Sequence, residues 1–301
     1  MTIPSLDPAP GALARREIGT QPECWRAGAG LGSSVAALVP PDRRIAVVGC
    51  GTSWFVASAY ARLREGRGAG ETDVFPASQL PETRSYDLVV AISRSGTTTE
   101  VLRVLSAAGA PTLLVTAVAG SPAARRADAV VDLGFADERS VVQTRFATTA
   151  LATLRASLGE SVATAARDAE RALALDVDDL LGDEQYTFLG DDWTVGLADE
   201  AALKLREAAL TWSESYPAME YRHGPISIAQ QGRTVWMFGD PPPGLAAEVT
   251  ATGARFVHHA GLDPMASLVV AQRVAVARGL SRGLDPDRPR HLTRSVVLDE
   301  H

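Results

Sequence analysis

The sequence predicts an α/β protein of two halves, each a mainly parallel sheet flanked by helices, and three observations carry that prediction. Apolar runs of strand length occur without alternation at Arg44–Gly49, Asp87–Ile92 and Pro111–Thr116, as in strands buried on both faces. These runs alternate with helical patterns, which implies right-handed βαβ units. After residue 181 the sequence of strand, turn and helix begins again, with fewer units. A length of 301 residues fits two such halves, at about 150 residues per domain.

In chain order, residues 1–30 hold little periodicity and read as an N-terminal arm, with a short helix over Arg16–Pro22 stopped by the proline. Residues 31–38 suggest another short helix, ended by Pro40-Pro41. The strand 44–49 runs into Cys50-Gly51-Thr52-Ser53 and a helix over 54–64. Short strands are expected at 72–75, 111–116 and 128–133. Between the first two of these, the strand 87–92 leads through Ser93–Thr99 to a helix over 100–108. The alanine-rich stretch 143–181 reads as helical and joins the halves. The second half has strands at 186–190, 233–238 and 254–258 and a last amphipathic helix over 264–280. Its tail, LDPDRPRHLTRSVVL, is punctuated by prolines and ends in a strand-like piece. The expected division is 1–30 arm, 31–165 first domain, 166–284 second domain and 285–301 tail.

Composition narrows the partners. A net charge of −7 argues against nucleic acid or an anionic membrane, but leaves room for a small phosphorylated ligand held by a few local groups. The two cysteines, Cys24 and Cys50, have no metal-ligand spacing and fit a reducing compartment. The N-terminus lacks a basic region followed by an apolar run, and no apolar run approaches the roughly 20 residues of a membrane span. A cytoplasmic location with no membrane partner is expected. None of the histidines at 223, 258, 259, 291 and 301 shows a ligand spacing, so no metal or other cofactor is implied, and His258-His259 reads as an exposed strand end.

Two turns and one helix carry candidate chemistry. The turns after Gly49 and Ile92 each follow a buried strand and open a helix, where free N–H groups favour an anion. The second holds five hydroxyls in seven residues, Ser93, Ser95, Thr97, Thr98 and Thr99, beyond the one cap a helix needs. Arg94 would add a charge-assisted contact. Trp54 stands where a dinucleotide fingerprint needs its third glycine, and the Gly-Lys-Ser/Thr of a Walker loop is missing. A phosphomonoester site is the reading. Farther on, Glu200, Lys204 and Glu207 at i, i+4 and i+7 share one helix face, and His223 precedes a Gly-Pro turn. Carboxylates, an ammonium and an imidazole are the parts of proton transfer beside a carbonyl; a solvated ion-pair face with an incidental loop histidine is the other reading of the same spacing.

Together these segments resemble the double-SIS (sugar isomerase) family, which includes the isomerase domain of glucosamine–fructose-6-phosphate aminotransferase and related amino-sugar-phosphate deaminases and isomerases. The resemblance rests on Glu17-Ile18-x-x-Gln21-Pro22, Gly49–Ser53, Ser93–Thr98, Glu200–Glu207, His223-Gly224-Pro225 and Asp285–Arg290, in the family's order. It implies two flavodoxin-like SIS lobes and a homodimer with active sites at the subunit interface. It also implies a sugar 6-phosphate held by Ser53, Ser93, Ser95 and Thr98, with Thr52 and the Arg94 backbone nearby. By the same carry-over Glu207 moves a proton between C1 and C2, with Glu200 and Lys204 orienting and tuning it. His223, reaching over from the partner subunit, promotes ring opening, and Val141 lends a backbone contact.

Four departures qualify the match. Arg294 stands where the family places a sugar-handling lysine, and an arginine cannot form a Schiff base or shed its proton. Gly190-Asp191-Asp192 is acidic where relatives often carry an arginine, and the second half reads one βα unit short. No glutaminase segment or catalytic cysteine accompanies these motifs. The expected function is isomerisation or deamination of a 6-phosphorylated amino sugar; the alternative is a regulatory protein that binds a sugar phosphate without chemistry.

Overall fold

A computed structural model describes residues 8–298. The start of the predicted arm and the last residues of the tail lie outside the described residues. Three helices open the chain, α1 (Ala12–Gly19), α2 (Gln21–Ala29) and α3 (Gly32–Leu38). Pro22 does not stop a helix here. It lies in the first turn of α2, where its missing N–H has no helical partner to lose. Ile18 and Trp25 are buried, so the stretch read as an arm is packed into the main core.

The first lobe follows as β1 (Ile45–Gly49), α4 (Thr52–Gly66), β2 (Thr72–Pro76), β3 (Leu88–Ile92), α5 (Thr99–Ala107), β4 (Thr112–Thr116) and β5 (Ala129–Asp132). Its sheet is parallel throughout, in the order β2-β1-β3-β4-β5, with β1, β3 and β4 buried at every position. The strand order reverses between β1 and β3. Loops leaving a sheet at such a point diverge and open a crevice at the strands' carboxyl ends, and the two hydroxyl-rich turns flank it.

The expected joining helix is two helices, α6 (Arg145–Ser157) and α7 (Ala163–Ala174). The second lobe comprises β6 (Gln185–Gly190), α8 (Val195–Ala209), β7 (Trp212–Pro217), β8 (Arg233–Met237), α9 (Leu245–Ala251), β9 (Arg255–His258) and α10 (Pro264–Ser281). Its parallel sheet runs β7-β6-β8-β9, the first lobe's order without its last strand. That is the missing unit the sequence suggests. The strand-like end of the tail joins neither sheet; it lies along the start of α5, where Thr99 N–H donates to the Val296 carbonyl (3.2 Å).

Helices α4 and α8 hold the lobes together. A Cβ on Gly196 would stand 2.5 Å from the Phe55 carbonyl oxygen, so α8 crosses α4 at a distance that only glycine permits. A second clamp is Arg155 of α6, bidentate to Asp263 at the start of α10 (3.0 and 2.9 Å) and bonded to Glu160 (2.7 Å). The tail pins the chain's beginning: the Asp287 carboxylate accepts from the N–H groups of Leu13 (2.9 Å) and Ala14 (2.7 Å), the first turn of α1. Asp287→Ala therefore removes a helix cap and is expected to cost about 1–2 kcal/mol in urea unfolding. A loss below roughly 0.5 kcal/mol would show that water replaces it.

Candidate active site

The site is built where the first turn of α4 meets the middle of α8. Both Glu200 and Lys204 are 1% exposed, and Glu207 is 18% exposed at the side chain, so the shared face points into the seam between lobes and not into solvent. The Lys204 ammonium donates to the Thr52 hydroxyl of the first lobe (3.0 Å) and closely to Glu207 Oε2, and it stands 3.5 Å from Glu200 Oε1. The ammonium is thus hydrogen-bonded to one acceptor in each lobe, with Glu200 beside it as an ion pair whose oxygens have no hydrogen-bond partner among the described residues.

Burial pushes the Glu200 carboxyl up from its ordinary 4.5 to about 8. The Lys204 charge pulls the other way and Glu207 reinforces the rise. For Lys204, burial disfavours the charge, but Glu200 and Glu207 outweigh it and hold the ammonium above its ordinary value. The trio therefore keeps a proton on Glu200 and a charge on Lys204 at neutral pH.

The first hydroxyl turn meets this trio at Thr52, and the second leaves β3, the strand paired with β1. Gly96, at φ 61, lets the second turn fold against Ser121, whose Oγ would be 2.0 Å from an added Cβ. Ser93 Oγ accepts from Gly96 N–H (3.2 Å) and keeps its own hydrogen. Ser95 Oγ accepts from Thr97 N–H (3.2 Å) and shares a bond with the Thr97 hydroxyl (2.9 Å). Among the described residues the hydroxyls of Ser53 and Thr98 have no hydrogen-bond partner, although Ser53 is buried. Uncommitted O–H donors at helix starts are what a phosphate dianion needs.

The sequence pattern of the SIS domain matches residues 39–158. The first lobe is an SIS domain. Glutamine–fructose-6-phosphate aminotransferase (isomerizing) of Sulfurisphaera tokodaii is 29% identical over 296 residues, covering 85% of this chain and 50% of that protein. The enzyme of the same name from Pyrobaculum aerophilum is 28% identical over 349 residues, covering 94% and 57%. The chain thus spans about half the length of the curated relatives it matches. Among solved structures, glucosamine-6-phosphate deaminase from Thermotoga maritima superposes with a TM-score of 0.80 at 25% identity, over 94% of this chain and 99% of that one. The C-terminal domain of glucosamine-fructose-6-phosphate aminotransferase from Francisella tularensis gives 0.74 at 21% identity, over 91% and 97%, and shares the fold. Both lobes of this chain have the SIS architecture, parallel sheets between helices.

The remaining expected site residues lie in the second turn, the loop after β5, the tail and the turn Glu220–His223. The Arg94 guanidinium is not turned to a phosphate: it donates to the carbonyls of Ser140 (3.0 Å), Val141 (3.2 Å) and Arg294 (3.1 Å). Val141 N–H is committed to the Asp287 carbonyl (3.2 Å). Arg294 bonds the Asp137 carboxylate and the Glu138 carbonyl, which holds its charge on the loop. His223 is exposed on the 3-10 turn Glu220–His223 and makes no bond to the α8 trio among the described residues. His259 is half-buried rather than an exposed strand end; its Nδ1 pairs with Ser267 Oγ (3.0 Å) and its ring packs on Trp236 (5.2 Å). Asp191 explains its own acidity by forming a capping box with Thr194. Among the described residues no cluster of three or more His, Cys, Asp or Glu is placed to hold a metal, and no helix is long and apolar enough to cross a membrane.

Two site features escape a motif-based reading. The buried Glu138 carboxylate takes the N–H groups of Thr144 (2.7 Å), Arg145 (2.9 Å) and Phe146 (3.2 Å) and so fixes the start of α6. More simply, Lys204 is the sole lysine in the chain; the other 28 of its 29 Lys and Arg residues are arginine.

The buried acid has a measurable consequence. Between pH 4.5 and about 8 the folded chain holds a proton on Glu200 that the unfolded chain has released, so stability falls as pH rises through that window. Glu17, raised to about 7 chiefly by burial, adds a slope of the same sign up to that pH. Glu200→Gln is expected to flatten the decline in urea midpoints across the window. An unchanged slope would mean that Glu200 is already ionised in the folded protein.

Proposed function

We propose that this chain is an enzyme acting on a 6-phosphorylated sugar or amino sugar by proton transfer between C1 and C2, as an aldose–ketose isomerase with or without loss of ammonia. The observation that carries the reading is the buried Lys204 between Glu200, Glu207 and Thr52, because it joins acid–base groups of one lobe to the phosphate turn of the other. In this reading the hydroxyls of Ser53, Ser93, Ser95 and Thr98 hold the phosphate, which fixes how far the sugar carbons reach toward α8. Glu207, the most accessible member of the trio, removes the proton from one carbon and returns it to its neighbour. Lys204 stabilises the oxyanion of the enediol between the two transfers. Arginine elsewhere and lysine only here fits a role that needs a compact ammonium with three hydrogens, not a planar fork.

The relatives' names support the substrate class: an aminotransferase acting on fructose 6-phosphate and a deaminase of glucosamine 6-phosphate. The exposure of His223 supports a homodimer in which that imidazole serves the partner's site.

Turnover of a panel of sugar 6-phosphates, with and without 2-amino groups, tests the proposal. Glu207→Gln is expected to lose at least about a hundredfold in kcat, and Lys204→Arg to lose comparably despite keeping its charge. Full activity in either variant, or no turnover of any panel member by the parent, rejects the mechanism. Thermal stabilisation by a sugar phosphate recovered unchanged would favour a regulatory binder. Mixed dimers of His223→Ala and Glu207→Gln chains are expected to regain part of the activity that each homodimer lacks.

A further inference from the structure

The Arg94 side chain sits between the two phosphate-turn serines, yet it is 3% exposed and all its described bonds lead away from the turn. Its three carbonyl acceptors belong to two segments far apart in sequence, the loop 138–141 and the tail at Arg294. Both segments are also held independently. Behind the loop, Glu17 of α1 accepts from the N–H groups of Arg139 (2.6 Å) and Ser140 (3.3 Å). The tail is bonded to the turn and to its helix: the Thr97 hydroxyl donates to Ser295 Oγ (2.8 Å), Thr99 N–H to the Val296 carbonyl (3.2 Å), and Leu298 N–H to Thr99 Oγ1 (2.9 Å). Arg294 then returns a bond to the same loop. Turn, loop and tail form a closed ring of contacts, and among the described residues Arg94 is the one side chain that bonds both of the other two segments.

We propose that Arg94 is a positioning residue: its guanidinium fixes the 138–141 loop and the 294–298 tail against the phosphate turn, so that the anchor and the wall facing the rest of the substrate are set as one unit. This rests on the sugar-phosphate reading for its substrate, but not for its geometry. A guanidinium suits the task because its planar fork offers donors in several directions at once, and Glu138, 3.8 Å away, offsets its buried charge. A lysine would keep the charge but reach fewer of the three carbonyls. The phosphate itself would be left to neutral hydroxyls and backbone N–H groups.

Arg94→Lys and Ser295→Ala in the full chain separate this from a phosphate-ligand role and from a merely structural one. Hydrogen exchange reads the clasp, and calorimetric titrations with inorganic phosphate and with glucosamine 6-phosphate read the site. Arg94→Lys is expected to speed exchange at Leu298 and Val141 by about tenfold or more, and to weaken the sugar phosphate about tenfold while inorganic phosphate changes less than about twofold. Ser295→Ala, which leaves every buried charge in place, is expected to speed exchange at Leu298 alone; it carries the test if Arg94→Lys does not fold. Equal weakening of both ligands by Arg94→Lys would make the arginine a phosphate ligand, and unchanged tail exchange in both variants would dissolve the clasp. If the parent binds no sugar phosphate, the functional reading fails while the exchange measurements still decide the clasp.

Discussion

A single buried ammonium sets the terms for the rest of this fold. Taking a charge out of water is unfavourable unless its hydrogens meet acceptors, and removing one partner of such a group leaves the other uncompensated. Lys204 meets that demand with Glu207 from its own helix and Thr52 from the other lobe, and Glu200 adds a buried ion pair. The Thr52 acceptor is in place only if α4 and α8 stay in register. Seen from there, the glycine contact at Gly196 and the Arg155–Asp263 pair are what keep a lysine paired, as much as what keeps two sheets adjacent. The carboxylates face the same constraint from the other side: without Lys204 they would be two acids sharing one dry seam.

The parts of this structure legible in the sequence are those where burial is uniform or periodic. Strands β1, β3 and β4 are covered on both faces and spell unbroken apolar runs. The i, i+4, i+7 charges of α8 declare a common face, though not whether it meets water. Strand β7 was hidden because it is a half-exposed edge, Trp-Ser-Glu-Ser-Tyr-Pro, with neither continuous nor alternating apolar residues. Helices α1 and α2 are short, and the proline in the first turn of α2 signals a stop and a start equally well. Arg94 and Arg294 show a harder limit. A sequence displays which donors a side chain owns but not which carbonyls are in want of one, and both arginines answer backbone acceptors from distant segments. The isolation of Lys204 needed no structure, only a count that separates lysine from arginine.

Both ends of the described chain converge on the loop after β5. Asp285 and Asp287 hold the start of α1 through Gly11, Leu13 and Ala14, while α1 in turn presents Glu17 to the loop. Farther along the tail, residues 294–298 lie against the loop and the start of α5. Segments that belong to neither sheet thus hold one another in place, which gives a physical reason for the charged and proline-rich sequence of residues 285–294.

The hydrogen bond from Lys204 to Thr52 spans the seam at 3.0 Å, and Thr52 is the first residue of the helix that also presents Ser53. Separation of the lobes would take from the ammonium its one acceptor in the first lobe and leave it only the carboxylates of its own helix. The width of the seam and the pairing of the buried ammonium are therefore linked through one hydroxyl.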